Sequence, residues 1–164
     1  MPIIALELKA NLVNVTNLQP GDYDDHRWYL KIQCTSCRNA KDHWQYATVT
    51  EAQPLTKGHG IAHIMEKCPF CGRSNNSLEI LKDTYAPYRI EKNEEFQTIV
   101  KFDCRGLEPV EFDPRVGWRC EGVESGTVFE DIDLNEKEWA DYDEKANQPV
   151  EINSISARFT LAKK

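Results

Sequence analysis

Two cysteine pairs constrain this chain more than any other feature of its sequence. They are Cys34-Thr-Ser-Cys37 and Cys68-Pro-Phe-Cys71, and 30 residues separate them. Each Cys-x-x-Cys turn can direct two sulfur atoms toward one point, and two such turns together supply the four thiolates of a tetrahedral zinc site. The Pro-Phe dipeptide and the glycine after the second pair suit the tight turn of a zinc knuckle. We therefore predict one Zn²⁺ site with four ligands: Cys34, Cys37, Cys68 and Cys71.

The predicted donor set favours a structural role for the metal. Four sulfur ligands close the coordination shell and leave no position for water or substrate, which argues against catalysis by the zinc. Two other uses of the same thiols stay open. An iron–sulfur cluster takes four thiolates as well. A thiol redox pair is less favoured, because no βαβ pattern surrounds either Cys-x-x-Cys.

The other cysteines and histidines are not expected to bind metal. His59 and His63 lie between the two pairs, next to a Gly-His-Gly turn, and we expect both to be solvent-exposed loop residues. Cys104 and Cys120 lack knuckle spacing and are predicted to be small buried apolar side chains. No role is assigned to the remaining histidines, His26 and His43.

The charge balance and the cysteine content limit the class of protein. The 164 residues include 20 basic and 27 acidic side chains, for a net charge of −7, which disfavours nucleic acid as a partner. No apolar run approaches the roughly 18 residues of a membrane span, and the start of the chain lacks the pattern of a secretory signal. Six cysteines are too few for a disulfide scaffold of this length. We expect no membrane association and a cytoplasmic location, with the nucleus as an alternative.

Alternating apolar and polar residues predict a mainly β protein with antiparallel strands. The strands are expected at 4–15, 28–33, 44–50, 78–84, 96–104 and 150–161. A loop is expected at 17–25 and a turn-rich connection at 54–60. Residues 134–145 are the one candidate for a short helix, so helix is a minor ingredient.

The chain divides into two predicted halves. Residues 85–95 contain a proline and several charges and resemble a linker, which places a boundary near residue 86. Residues 1–85 would form the zinc-binding β half, and residues 86–164 a metal-free β half with an acidic surface. A faint repeat supports a duplication, since a Leu-x-Pro segment precedes Trp28 and another precedes Trp118 at similar spacing.

No catalytic motif is legible. Nucleophile-elbow, zinc-protease and phosphate-loop patterns are missing from the sequence. The segment 122–127 has the glycines of an anion-binding loop, but the neighbouring Glu121, Glu124 and Glu130 would repel phosphate, so a tight connection between strands is the better interpretation. We expect a protein that is not an enzyme; a hydrolase or transferase built on the second half is a weaker alternative.

The acidic stretch 136–145 is the most distinctive feature outside the cysteines. It interleaves Trp139 and Tyr142 with five acidic side chains. Charged runs are usually solvated faces, and the two rings would then complete the core of the second half. The alternative is a surface that recruits a basic protein partner through Trp139 or Tyr142 as an anchor.

Several longer segments add a resemblance to these motifs. The two cysteine pairs, the Arg-Trp-Tyr-Leu-Lys run at 27–31, the segments 105–110 and 121–127, and the run 138–145 together resemble the eukaryotic CXXC-motif-containing zinc-binding protein family. The resemblance covers nearly the whole chain. It implies a compact, mostly β protein of two related barrel-like halves, with one zinc held in the first half and no established enzymatic activity. Only the four knuckle cysteines inherit a role from it, as zinc ligands.

Two functional hypotheses follow. The first is a non-enzymatic intracellular zinc protein with a structural four-cysteine site, which acts as an interaction module for an unidentified protein partner and is expected to be a monomer. The second is a metal-handling protein that exchanges zinc or copper(I), since soft thiolates bind both ions. Thiol redox chemistry or an unrecognised enzymatic activity is the weaker alternative.

Overall fold

Antiparallel β-structure makes up most of the protein. The computed structural model describes residues 2–55 and 60–162, and within these ranges it contains strands and two 3₁₀ turns but no α-helix. None of the described residues therefore belongs to a helix of the length and apolar character that crosses a membrane. The strands are β1 Ile3–Val13, β2 Val15–Pro20, β3 Trp28–Cys34, β4 Gln45–Ala47, β5 Gln53–Pro54, β6 Ile61–Ala62, β7 Ile64–Glu66, β8 Asn76–Leu81, β9 Gln97–Arg105, β10 Leu107–Asp113, β11 Trp118–Gly122, β12 Val128–Ile132, β13 Trp139–Asp143 and β14 Gln148–Ala162.

The strands form one large curled sheet and three smaller sheets. The large sheet has the order β13-β14-β1-β9-β8-β7, and every pair in it is antiparallel. Two three-stranded sheets have the orders β10-β3-β4 and β12-β11-β2, and β5 pairs with β6. The predicted mainly β class is confirmed, with the cysteine pairs in the first half of the chain.

The first strand is shorter than the sequence pattern indicates. A single strand over 4–15 is wrong, because the chain breaks at Asn14, whose φ of 61° lies in the left-handed region. β1 stays in the large sheet, whereas β2 continues to Pro20 and pairs with β11 in another sheet. The predicted loop at 17–25 is therefore wrong over its first residues.

Other strand predictions hold in their centres and miss at their ends. The strands expected at 28–33, 96–104 and 150–161 are confirmed as β3, β9 and β14. The strand expected at 44–50 is reduced to β4, and β8 ends at Leu81, where a 3₁₀ turn over Lys82–Thr84 begins. Hydrogen bonding to a partner strand decides where each strand ends, and local residue propensity carries no information about that pairing.

The candidate helix at 134–145 is wrong, because β13 occupies its C-terminal half. β13 pairs with β14 from Trp139 opposite Ile152 to Asp143 opposite Gln148. The connection between the two strands is only four residues long, as in a β-hairpin. The cross-strand pairing outweighs the helix preference of the Glu and Lys residues in this stretch.

The segment 85–95 packs against the core and is not an exposed linker. Tyr88 has no exposed surface, and its hydroxyl group donates to a backbone carbonyl and accepts the backbone N–H of Ala10. Backbone bonds in both directions also join Tyr88 to Leu18 of β2. A 3₁₀ turn over Ile90–Lys92 completes the segment. The proline and charges that suggested a linker therefore lie on a segment that packs against β1 and β2.

Trp28 and Trp118 meet in the centre of the core. Both are fully buried, and their rings pack edge to face with centroids 6.1 Å apart. Trp28 begins β3 and Trp118 begins β11, while β3 pairs with β10 and β11 pairs with β2. The proposed duplication and the division near residue 86 stay predictions, and each of the three larger sheets combines strands from both sides of that residue.

Candidate metal centre

The two cysteine pairs form turns with the same hydrogen bonds. In the first, the Arg38 N–H donates to the Cys34 carbonyl oxygen at 2.9 Å, and in the second the Gly72 N–H donates to the Cys68 carbonyl oxygen at 3.0 Å. Arg38 and Gly72 therefore occupy equivalent positions, with φ of 65° and 80°. Glycine adopts this conformation without steric cost, which explains Gly72. Each cysteine that opens a turn also donates its own N–H to the carbonyl five residues on.

The folded chain brings these two turns together so that all four sulfur atoms converge. Their Sγ atoms all lie within 4.8 Å of one another. The Cys34 and Cys71 sulfurs are 3.8 Å apart, and the Cys37 and Cys68 sulfurs are 3.7 Å apart. A Zn–S bond of about 2.3 Å gives a tetrahedron with an edge of about 3.8 Å. The predicted ligand residues thus have the spacing that one tetrahedral zinc ion requires.

Backbone N–H groups stabilise thiolates at this cluster. Hydrogen bonds from the Cys37 N–H, and less strongly the Ser36 N–H, lower the pKa of Cys34 to about 6. The pKa of Cys68 is lowered in the same way, first by the Cys71 N–H. Although the Arg73 N–H lowers the pKa of Cys71, burial and the other thiols raise it to about 11. Four adjacent thiolates repel one another, so full ionisation needs a cation among them.

The cluster lies at the surface with one face covered. Cys34 and Cys68 are buried, Cys37 is half-buried and Cys71 is exposed. The exposed Phe70 stands beside Cys71 in the second turn. Two of the four cysteines are therefore buried against the β-structure, and one lies at the surface.

Supporting residues around the cluster carry no motif in the sequence. The buried Asn76 at the start of β8 directs its side-chain amide at the Cys34 sulfur, 3.9 Å away. The Arg73 guanidinium donates to the Ser36 hydroxyl and so joins the two knuckle turns. Beside them, Lys41 forms an ion pair of 2.8 Å with the mostly buried Glu66 carboxylate. A polar residue two positions before the apolar run of β8 was the available signal for Asn76, and it is weak.

The prediction for one of the two histidines between the knuckles is wrong. His63 is not a solvent-exposed loop residue, because it is only 6% exposed and its Nδ1 accepts the Ile80 N–H at 2.8 Å. Burial, together with Lys82, lowers its pKa. It lies outside the cysteine cluster, as expected, and His59 lies outside the described residues.

The two isolated cysteines are core residues, as predicted. Cys104 and Cys120 are fully buried. Burial raises the pKa of each thiol to about 12, so both stay protonated at neutral pH. Neither belongs to the cysteine cluster.

The acidic stretch is divided between the core and the solvent. Trp139 is half-buried and packs edge to face on Phe129 at 5.4 Å. Tyr142 is 47% exposed, and its hydroxyl donates to the Asn147 side chain. The idea that both rings complete the core is therefore wrong for Tyr142.

The buried Asp143 carboxylate at the end of β13 links two β-hairpins through hydrogen bonds. Asp143 is fully buried and accepts hydrogen bonds from the Ser125 and Thr127 hydroxyls and from the Ala146 N–H. These bonds, that from Ser125 first, lower its pKa. A side chain at Gly122 would collide with the Asp143 carboxylate. The segment 122–127 is the predicted tight connection, closed by a bond from the Gly122 N–H to the Thr127 carbonyl.

Comparison with known proteins identifies the family. Residues 5–160 match the family model described as CXXC motif containing zinc binding protein, eukaryotic. The chain belongs to this family. A human protein named CXXC motif containing zinc binding protein is 52% identical over 156 residues, which cover 95% of this chain and 96% of the human chain. The Xenopus laevis protein of the same name is 47% identical over the same shares of each chain.

Solved structures share the fold. The crystal structure of C1orf123 superposes with a TM-score of 0.93 at 51% identity and covers 98% of this chain and 99% of its own. A hypothetical protein from Plasmodium falciparum reaches a TM-score of 0.85 at 23% identity, which shows the common fold alone. Family membership and the spacing of the four sulfurs confirm Zn²⁺ as the expected cofactor.

Proposed function

We propose that this protein is a non-enzymatic zinc protein in which Cys34, Cys37, Cys68 and Cys71 hold a structural zinc ion and whose acidic surface binds a protein partner. The observation that carries the metal assignment is the match between two sulfur–sulfur separations, 3.8 and 3.7 Å, and the edge of a zinc–thiolate tetrahedron. When bound, Zn²⁺ would supply charge compensation for the thiolates and a cross-link between distant segments.

The position of the cluster supports a structural role. The first knuckle follows β3 of a three-stranded sheet, and the second joins β7 to β8 of the large sheet. A metal held by both knuckles would tie these two sheets together. In its described residues, 38–55 and 60–67, the connection between the knuckles contains only very short strands, β4 to β7, which pair over two or three residues each. Such strands provide little stability of their own.

The donor set also supports the absence of zinc catalysis. Four thiolates complete the tetrahedral shell, so substrate or water would have to displace a ligand before the metal could act on it. An interaction role for the exposed acidic groups agrees with the net charge of −7 and with the exposed ring of Tyr142. A monomer in the cytoplasm or nucleus is the corresponding proposal for assembly and location.

Metal analysis combined with thermal melting tests the structural role. We expect one zinc per chain in the purified protein, and a clear fall in the melting temperature after chelation or in Cys68→Ser. The matched control is Cys104→Ala, which removes a buried thiol outside the cluster and should retain the zinc. A metal-free protein that melts like the zinc-loaded one would contradict the proposal.

Metal handling is a second candidate, which the exposure of Cys71 favours. A ligand that solvent reaches can be attacked by a chelator or by a partner's thiolate, and the zinc or a copper(I) ion can then be exchanged. The discriminating measurement is the rate at which a chromophoric chelator removes zinc while circular dichroism follows the fold. Release within seconds from a protein that stays folded supports handling; slow release coupled to unfolding supports the structural role.

A further inference from the structure

The turn between β9 and β10 lies against the metal centre. It consists of Gly106, with Arg105 at the end of β9 and Leu107 at the start of β10. We call these three residues the β9–β10 turn. Leu107 pairs with Cys34 of β3, and Arg105 pairs with Ser77 of β8. The turn is therefore flanked by the strand that ends in the first knuckle turn and by the strand that follows the second one.

A backbone hydrogen bond joins the β9–β10 turn to the first knuckle turn. The Thr35 N–H, between Cys34 and Cys37, donates to the Gly106 carbonyl oxygen at 3.0 Å. Gly106 has a φ of 74°, in the left-handed region that glycine adopts without steric cost. This hydrogen bond and the pairing of Leu107 with Cys34 hold the turn close to the sulfur ligands.

The side chain of Asn76 occupies the space in front of Gly106. Its Nδ2 is directed at the Cys34 sulfur, 3.9 Å away. The Oδ1 atom of the same amide has no hydrogen-bond partner among the described residues, and a Cβ atom at residue 106 would collide with it. The amide can contact the sulfur in this orientation because residue 106 has no side chain.

Asn76 has little freedom to move out of the way. It is only 1% exposed, and it pairs with Glu66 of β7 in the large sheet. The Arg73 Nε atom also lies near the same position, 3.0 Å from where the Cβ atom would stand, but this arginine is exposed and can rotate away. A side chain at residue 106 would therefore displace the Asn76 amide from the Cys34 sulfur.

The position of this amide matters because hydrogen-bond donors tune metal-bound thiolates. A donor draws electron density from the sulfur and stabilises its negative charge. Loss of such a supporting group typically lowers metal affinity by about 10- to 100-fold. Asn76 directs its donor at Cys34, which is one of the two buried cysteines of the cluster.

We infer that Gly106 is a positioning residue of the metal centre. The lack of a side chain keeps the Asn76 amide against the Cys34 sulfur, and the Gly106 carbonyl oxygen holds the first knuckle turn. This inference rests on the proposed function, in which the four knuckle cysteines hold zinc. It extends the metal centre beyond residues 1–85, the predicted zinc-binding half.

The zinc affinity of the full-length protein tests this role. We expect Gly106→Ala to bind zinc about tenfold or more weakly than the wild type, measured by competition with a chromophoric chelator. The matched control is Gly126→Ala, since Gly126 has a φ of 72° and no non-neighbouring atom of the described residues lies within 4 Å of its Cβ position. Both variants should melt lower because of backbone strain, but only Gly106→Ala should bind zinc more weakly.

A double-mutant cycle tests whether Gly106 acts through the amide. Asn76→Ala removes both the colliding oxygen and the donor, so adding Gly106→Ala should lower the zinc affinity no further. Two separate losses that add in the double variant would overturn the inference. If Gly106→Ala alone does not fold, a folded double variant with the affinity of Asn76→Ala supports the collision. If neither folds while Gly126→Ala does, the turn serves folding and the inference is overturned.

Cobalt(II) substitution provides a readout that a merely structural role would not move. Loss of the donor raises the energy of the sulfur electrons, so the thiolate-to-cobalt charge-transfer band should move to longer wavelength in Gly106→Ala and in Asn76→Ala. The band should stay at the wild-type position in Gly126→Ala. A lower melting temperature of Gly106→Ala with an unmoved band would overturn the inference.

The same measurements separate this inference from the wider proposal. Wild-type protein that binds no zinc would overturn the proposed function and the positioning role together. Wild-type protein that holds one zinc per chain, with Gly106→Ala and Gly126→Ala binding zinc equally tightly, would overturn the positioning role alone.

Discussion

Two parts of this molecule are fastened by different chemistry. In the knuckle region, four thiols from two distant turns meet at 3.7 and 3.8 Å and need a cation to share one site. In the hairpin region, the buried Asp143 carboxylate joins the β11–β12 and β13–β14 connections through hydroxyl and N–H donors. Both bring loop ends together, and we propose that only the first depends on a metal. Stability should therefore respond to metal in one region and not in the other.

Removal of zinc should have the largest effect, and it should be local. We expect chelation to lower the melting temperature by about 10 °C or more, because zinc–thiolate bonding contributes folding free energy directly. Hydrogen exchange should increase first in the amides of 34–41 and 66–76 and stay slow around Asp143. Uniform loss of protection across both regions would remove the distinction between them.

Substitutions in the hairpin region should have the next largest effect on the melting temperature, and this effect should not depend on metal. Asp143→Ala leaves the Ser125 and Thr127 hydroxyls without their acceptor, and Gly122→Ala places a methyl group against the carboxylate. We expect each variant to melt several degrees lower while retaining one zinc per chain. Loss of zinc from either variant, measured by mass spectrometry, would mean that the two regions are coupled.

The buried His26 should give the core a pH dependence of stability that comes from neither the metal site nor the Asp143 hydrogen bonds. The unfolded chain protonates His26 near pH 6.5, whereas burial holds its folded pKa at about 4. The free energy of unfolding should therefore fall as the pH drops from 6.5 toward 4, by up to about 3 kcal/mol at about 1.4 kcal/mol per pKa unit, and be flat above that window.

His26→Phe measures this contribution by difference. Urea unfolding of the variant and the wild type across this pH range cancels the protonation of zinc ligands, which is common to both proteins. The variant should lose less stability on acidification. Parallel curves for the two proteins would show that His26 is not the titrating group.

The smallest expected effect concerns the amide that faces the cluster. Asn76→Ala removes the donor to the Cys34 sulfur, and we expect zinc affinity to fall about tenfold with little change in melting temperature of the zinc-loaded protein. Ser77→Ala, at the next buried position of β8, is the matched control. A competition assay with a chelator measures both, and equal affinities for the two variants would contradict a role for the amide.

The cysteine pairs and the long strands were predictable because their signals are local. A Cys-x-x-Cys turn directs its own two sulfurs, and the alternation in β1, β9 and β14 is visible within each segment. The supporting residues were not predictable, since Asn76 acts on Cys34 from 42 positions away in the chain. The burial of His63 was not predictable either, because it depends on the pairing of β7 with β8.

The sequence by itself determined the mainly β class, the two cysteine pairs and the family. Tertiary structure decided which segments share a sheet and that residues 139–143 form a strand instead of a helix. The physical reason is the range of the interactions. Side-chain alternation and knuckle turns extend over a few residues, whereas strand pairing, burial and electrostatic neighbours depend on segments up to about a hundred residues apart.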